Sequence, residues 1–210
     1  MITVPRNEND PDVKRLEKLV AASHEPIFVD VRPEPWALVS ECFPNVERKV
    51  REAGGKMILG WQVWRSPNLI EAEFHGVWED PDGELLDITP KDPPFQRILF
   101  IEDEKATDTG QQVDNIRLNT SGNKLVDDFI EIAKALYLFD NKGERADQFT
   151  LILSDEEARK RTDLVELRDI VSAMLLMTQN RSGLCACRSG ASFAACHGAG
   201  LEAKLKRLTS

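Results

Sequence analysis

The stretch EAEFHGVWEDPDGELLDITP, residues 71 to 90, holds a turn whose length fixes which side chains meet. In Asp80-Pro81-Asp82-Gly83, Pro presets the first turn residue, Asp suits the second and Gly takes the left-handed position. The segment therefore predicts a hairpin with the three-residue loop Pro81-Asp82-Gly83. Counting outward sets Asp80 opposite Glu84, Val77 opposite Asp87 and His75 opposite Thr89. His75 and Asp87 become diagonal neighbours on one face, within reach of each other. A loop one residue longer or shorter would send them to opposite faces. A carboxylate beside an imidazole fixes its tautomer and stabilises its protonated form, as a base serving a nucleophile requires.

Around this hairpin the pattern is helix, then sheet. Ile27 to Val31 reads as a short strand. Ser40 to Val46 opens a helix that runs to about Ala53, with Pro44 allowed in its first turn and Gly54-Gly55 ending it. Lys56 to Arg65 (KMILGWQVWR) and Arg97 to Ile101 read as further strands. Upstream, Asp12 to Ala22 is an amphipathic helix with Val13, Leu16, Leu19 and Val20 on one side. Downstream, Glu102 to Gly122 reads as loop, and Leu125 to Phe139 as a helix presenting Val126, Phe129, Ile130, Ala133 and Leu136. Phe149 to Leu153 suggests a short strand, and Ser154-x-x-Glu157 is a capping box opening a helical region that lasts to about Gln179. The expected organisation is an α+β domain over residues 1–153, a helical segment over 154–182, a small cysteine-rich module over 183–200 and a tail over 201–210.

At 210 residues the chain can build one buried core with an appendage, or two small domains. A net charge of -9 argues against an extended nucleic-acid surface. No basic cluster precedes an apolar core near the N-terminus and no apolar run approaches a membrane span, so a cytoplasmic protein without a membrane segment is expected. Three of the four cysteines crowd into Cys185 to Cys196, and Cys42 stands alone. In a reducing compartment that division fits a metal site and a separate thiol.

In the crowded stretch, Cys185 and Cys187 are followed after eight residues by Cys196-His197. Three thiolates and an imidazole are a closed tetrahedral set for structural zinc, and Ser189-Gly190 permits the turn that joins the pairs. With Phe193, this spacing resembles the SEC-C motif, a zinc knuckle appended to many bacterial proteins. The resemblance implies a metal staple or a module that binds a protein partner.

Cys42 lies just before Pro44 and the predicted helix, where the helix dipole and free backbone donors favour a thiolate. Cysteine at a helix start, then His75, then Asp87 on paired strands is the order found in papain-like and transglutaminase-like cysteine enzymes. His75-Gly76-Val77-Trp78-Glu79 followed by Asp87-Ile88-Thr89-Pro90 resembles the transglutaminase-type His-x-W-x-E … D-x-T-P pattern. The resemblance implies an antiparallel sheet flanked by helices. It also implies that Cys42 attacks an acyl carbon, His75 carries the proton and Asp87 orients His75. An oxyanion donor would come from Gln62, the Cys42 backbone N–H or Trp36. The expected activity is a cysteine hydrolase or acyltransferase acting on an amide, isopeptide or glutamine carboxamide of a peptide or protein. The alternative is a non-enzymatic adaptor or inhibitor with a degenerate fold, of bacterial or phage origin. It would hold Cys42 packed over and bind a protein partner through an apolar surface beside Phe193. Oligomeric state has no signature here.

Overall fold

The computed structural model of the chain describes residues 2–21, 24–148 and 150–210. The chain forms two compact units, one running to Thr109 and taking in Asn115–Thr120, the other comprising Gly110–Asp114 and Ser121–Ser210.

The first unit is an α+β barrel. Helix α1 (Pro11–Val20) is capped by the Asp10 side chain and strand β1 spans Ile27–Val31. Helix α2 (Cys42–Ala53) starts after Glu41 and stops at Gly54, whose positive φ of 76° turns the chain away. Then come β2 (Lys56–Arg65), β3 (Leu69–Glu79), β4 (Leu85–Asp87), β5 (Arg97–Glu102) and β6 (Ile116–Asn119). The order β2-β5-β1-β4-β3 closes because β3 also pairs with β2, and β6 adds to the outer end of β3. Two expectations are corrected here. The sheet is mixed, since β1 and β4 run parallel, and β6 forms within the stretch read as loop. Both features depend on pairings between distant segments, which local patterning does not encode. The Ala22 end of the first predicted helix lies outside the described residues, and Leu19 is exposed.

The hairpin forms in the predicted register. Trp78 pairs with Leu86 and Glu79 with Leu85. The Asp80 N–H donates to the Glu84 carbonyl, and Gly83 takes φ +90°. Strand alternation then assigns two faces. Val29, Ile58, Val77, Ile98 and Phe100 pack together inside the barrel. On the outside, Val13 and Leu16 of α1 cover Trp61, Val63, Ile70 and Ala72, while Val46 of α2 packs with Trp78, Leu86 and Ile88. Gly60 faces inward directly across from His75. A Cβ there would lie 2.2 Å from the Ile101 carbonyl oxygen and 2.6 Å from the Phe100 ring, so only glycine lets β2 and β5 approach this closely.

The second unit is helical: α3 (Lys124–Asp140), α4 (Asp155–Leu176) and α5 (Leu201–Thr209). The Ser154–Glu157 capping box is formed. The buried residues of α3 are Leu125, Val126, Ile132, Ala135, Leu136 and Phe139; of the predicted face Val126 and Leu136 are buried, Phe129 packs partly buried against the helical core, and Ile130 and Ala133 are half-buried. Residues 150–153 form no strand, and Phe149 lies outside the described residues. The segment read as a tail is α5, whose Leu201, Leu205 and Leu208 enter the same core.

Candidate active site and metal centre

His75 sits on β3 where its edge is interrupted. Along that edge β6 pairs only as far as Ala72, and β4 begins pairing at Trp78. His75 Nε2 lies 3.1 Å from Asp87 Oδ2, and both side chains are buried. The other carboxylate oxygen, Oδ1, accepts the Thr89 N–H at 3.0 Å. The backbone of Asp87 is fixed as well, since its carbonyl accepts the Arg32 N–H next to β1.

Lys91 is the participant that sequence reasoning missed. Its Nζ lies 2.6 Å from Asp87 Oδ2 and 3.3 Å from His75 Nε2, with the side chain 9% exposed. β4 ends at Asp87 and the chain bends at Thr89, whose N–H bonds the Asp87 side chain, and this turn returns Lys91 to the carboxylate four residues back. The i,i+4 spacing of Asp87 and Lys91 around Thr89-Pro90 was the available signal.

Cys42 is the first residue of α2 and lines the same cleft as His75, whose pKa its thiol helps to raise. Because Nε2 faces Asp87 and Lys91, the ring nitrogen left for Cys42 is Nδ1. Burial alone would push the His75 pKa down. The Asp87 charge and hydrogen bond, with the Cys42 thiol, outweigh burial and the opposing Lys91 charge, and raise it to about 9. Burial likewise pushes the Asp87 carboxyl up, but His75 and Lys91 overcome this and hold it below the ordinary carboxylate range.

Asn45, one turn beyond Cys42, ties the loop before α2 to the segment after Asp87. Its Oδ1 accepts the Leu38 N–H, and its Nδ2 donates to the Leu38 carbonyl at 2.8 Å and to Thr89 Oγ1 at 3.2 Å. Ser40, within that loop, holds a left-handed φ of 64°. A buried polar residue on the inner side of α2 was legible only as an exception to the apolar pattern.

A cleft of about 300 Å³ opens over these groups, lined among others by Cys42, His75, Gln62, Trp64, Val39 and Phe95. Gln62 is buried, and its Oε1 has no hydrogen-bond partner among the described residues. Trp36 does not line the cleft. It carries the Arg48 guanidinium at 4.0 Å and packs beside Val46. Glu71 and Glu73 share His75's strand face and also line the cleft. Glu71 is partly buried, which raises its carboxyl pKa against the opposing charge of Arg117 at 2.9 Å. Glu73 is exposed and accepts the Trp64 indole N–H at 2.7 Å.

In the second unit Cys185, Cys187, Cys196 and His197 converge, with their ligand atoms all within 4.8 Å of one another. Cys185 Sγ and Cys196 Sγ each lie 3.3 Å from His197 Nδ1, and Cys187 Sγ lies 3.6 Å from Cys196 Sγ. A tetrahedral ion with bonds of about 2.0–2.3 Å has edges of roughly 3.3–3.8 Å. The four atoms therefore fit a metal ion. Ser189 bonds pull the Cys187 thiol down to about 6, in the direction of the ligating thiolate. The fold holds this group firmly: Phe193 is fully buried with Leu164, Leu167 and Leu205, and Cys185 joins the same core. A larger groove of about 890 Å³ along α3 and α5 contains none of the nominated residues.

No protein-family model, curated protein or solved structure matches this chain. Among the described residues, no helix is long and apolar enough to cross a membrane.

The buried pair makes stability pH-dependent in a defined window. The His75 pKa is raised on folding from an ordinary 6.5, so its contribution is complete below about 6.5 and fades as pH climbs through about 9. The Asp87 pKa is lowered from 3.8, so its contribution is complete above that value and fades as pH falls. Asp87→Asn, which leaves two cations without their carboxylate, should cost about 3 kcal/mol or more in urea unfolding. The deficit should be largest between about pH 4 and 6.5 and should shrink by pH 9 to 10. A deficit that stays constant from pH 5 to 10 would contradict the ion-pair assignment.

Proposed function

We propose that the first unit is a cysteine acyl-transfer enzyme acting on an amide, isopeptide or glutamine carboxamide of a peptide or protein. The observation that carries this reading is that Cys42 and His75 line one cleft while His75 turns Nε2 to Asp87 at 3.1 Å, which leaves Nδ1 to serve Cys42. In this mechanism the Cys42 proton passes to His75 Nδ1 and Sγ attacks the acyl carbon. The resulting tetrahedral intermediate collapses as the C–N bond breaks, the leaving amine takes the proton from Nδ1, and a thioester remains on Cys42. Water, or a second amine, then attacks the thioester and gives its proton to His75. Cleavage of the C–S bond releases the acid or new amide, and the proton returns to sulfur.

Two donors are assigned to the oxyanion. One is the backbone N–H of Cys42, which at the first position of α2 has no intrahelical acceptor. The other is the Gln62 carboxamide, buried beside the nucleophile. Glu73, exposed on the cleft wall, favours a cationic residue next to the acyl group. The adaptor alternative relied on an apolar surface beside Phe193 and a packed-over cysteine. Phe193 is fully buried and Leu184 of the same module is exposed, while Cys42, though buried, lines the cleft.

Peptides with a glutamine next to a lysine test the chemistry. Mass spectrometry should detect a thioester on Cys42, and hydroxylamine should divert it to a hydroxamate. Cys42→Ser should lower turnover by about a hundredfold or more. If no acyl adduct forms and no turnover is sensitive to Cys42, the proposal fails.

For the second unit we propose that Cys185, Cys187, Cys196 and His197 hold structural zinc. All four positions come from protein, and the site is continuous with the core around Phe193. A closed site of this kind supplies folding free energy. Native mass spectrometry should find one zinc per chain, and Cys196→Ser should abolish it and lower the unfolding temperature of the helical unit. Metal-free protein that unfolds at the same temperature would refute the assignment.

A further inference from the structure

A buried lysine sharing one carboxylate oxygen with a catalytic imidazole is not required to orient that imidazole. Asp87 alone can do so, through Oδ2 to His75 and through Oδ1 to the Thr89 N–H. Lys91 nevertheless lies closer to Oδ2 than His75 does, at 2.6 Å against 3.1 Å. Its Nζ also approaches the ring itself, at 3.3 Å from Nε2. Nε2 cannot donate to Asp87 and accept from Lys91 at once, so the two side chains compete for the same edge of the ring.

The charges around His75 come from every side. Cys42 faces it across the cleft from α2, Asp87 from β4 and Lys91 from the segment after β4; Glu73 lies exposed two residues away on β3, Glu71 beyond it is paired with Arg117 at 2.9 Å, and Asp92 lines the same cleft. Its cross-strand neighbour Gly60 and the adjacent Gln62 of β2 bring no charge. With His75 protonated, the buried set of His75, Asp87 and Lys91 holds two cations and one anion. The group positioned to balance it is the Cys42 thiolate.

We infer that Lys91 is a positioning residue that neutralises Asp87, so that the counter-ion of the His75 imidazolium is the Cys42 thiolate rather than the carboxylate. Asp87 then keeps its geometric role and gives up much of its electrostatic one. Without Lys91, Asp87 would satisfy the imidazolium by itself, and a thiolate would add an unbalanced negative charge to a buried site. The inference rests on the acyl-transfer reading for its purpose, but the charge relation it asserts is measurable without activity.

The experiment follows the His75 ring by NMR titration in wild-type protein, Lys91→Met and Lys91→Arg, alongside iodoacetamide labelling of Cys42 at pH 6. Removing the charge should raise the His75 titration midpoint by about one pH unit or more. It should also slow Cys42 labelling at pH 6 about tenfold, while Lys91→Arg should restore both values toward wild type. A lysine that only props the segment would leave the midpoint in place. An unchanged or lowered midpoint in Lys91→Met therefore overturns the inference. Lys91→Gln, which keeps a hydrogen bond to Asp87 without the charge, gives the same readout if the methionine variant does not fold. The two claims fail separately. Wild-type Cys42 labelling indifferent to His75→Ala would remove the acyl-transfer reading, while the titration midpoints would still decide the role of Lys91.

Discussion

Asp87 has no solvent exposure, and burying a carboxylate without partners is among the costliest things a fold can do. The first unit meets that cost from three directions: the imidazole of β3, the ammonium of Lys91 and the backbone N–H of Thr89. Each partner depends on a different part of the architecture. The three-residue hairpin loop puts His75 within reach. The parallel pairing of β4 with β1 holds the Asp87 backbone, and the bend at Thr89 after β4 returns Thr89 and Lys91 to the carboxylate. Altering any one of these leaves a charge in a dry place, so the barrel and the site are stabilised by the same contacts.

The start of α2, with Cys42, is tied to this centre by polar bonds as well as packing. Asn45 bonds both backbone groups of Leu38 and reaches Thr89, so one amide spans the loop before α2 and the segment that bears the acid. Phe43 rests on Phe74 with ring centroids 5.4 Å apart, which seats the first turn of α2 against the outer face of β3. The apolar interior of Val29, Ile58, Val77, Ile98 and Phe100 runs up to the site, since Phe100 pairs across strands with Gln62 and its ring borders Gly60, while the inward residues Glu71, Glu73, His75 and Gln62 line the cleft.

The local grammar of the chain was legible. Pro81-Asp82-Gly83 specified the loop, hence the register, hence the His75–Asp87 contact. Pro44 and Gly54 bounded α2, and the alternating and apolar runs marked β1, β2 and β5 with nearly their observed limits. Barrel closure and β6 were not legible, because the pairings of β2 with β5 and of β3 with β6 join segments far apart in sequence. Lys91 reads in isolation as an ordinary surface lysine, and only its spacing from Asp87 and Thr89 hinted otherwise. The cysteine spacing announced a metal-binding group. It did not show that Phe193 and α5 would build that group into a helical core.

The central claim is that Cys42 and His75 act as one ionised pair, and the most direct measurement is the pH dependence of Cys42 alkylation in wild-type protein and His75→Ala. Labelling already fast near pH 6, and slowed at least about tenfold by the substitution, is the result expected of a thiolate held by an imidazolium. Labelling that rises only in the range of an ordinary thiol, near pH 8.5, and ignores His75→Ala would contradict the account.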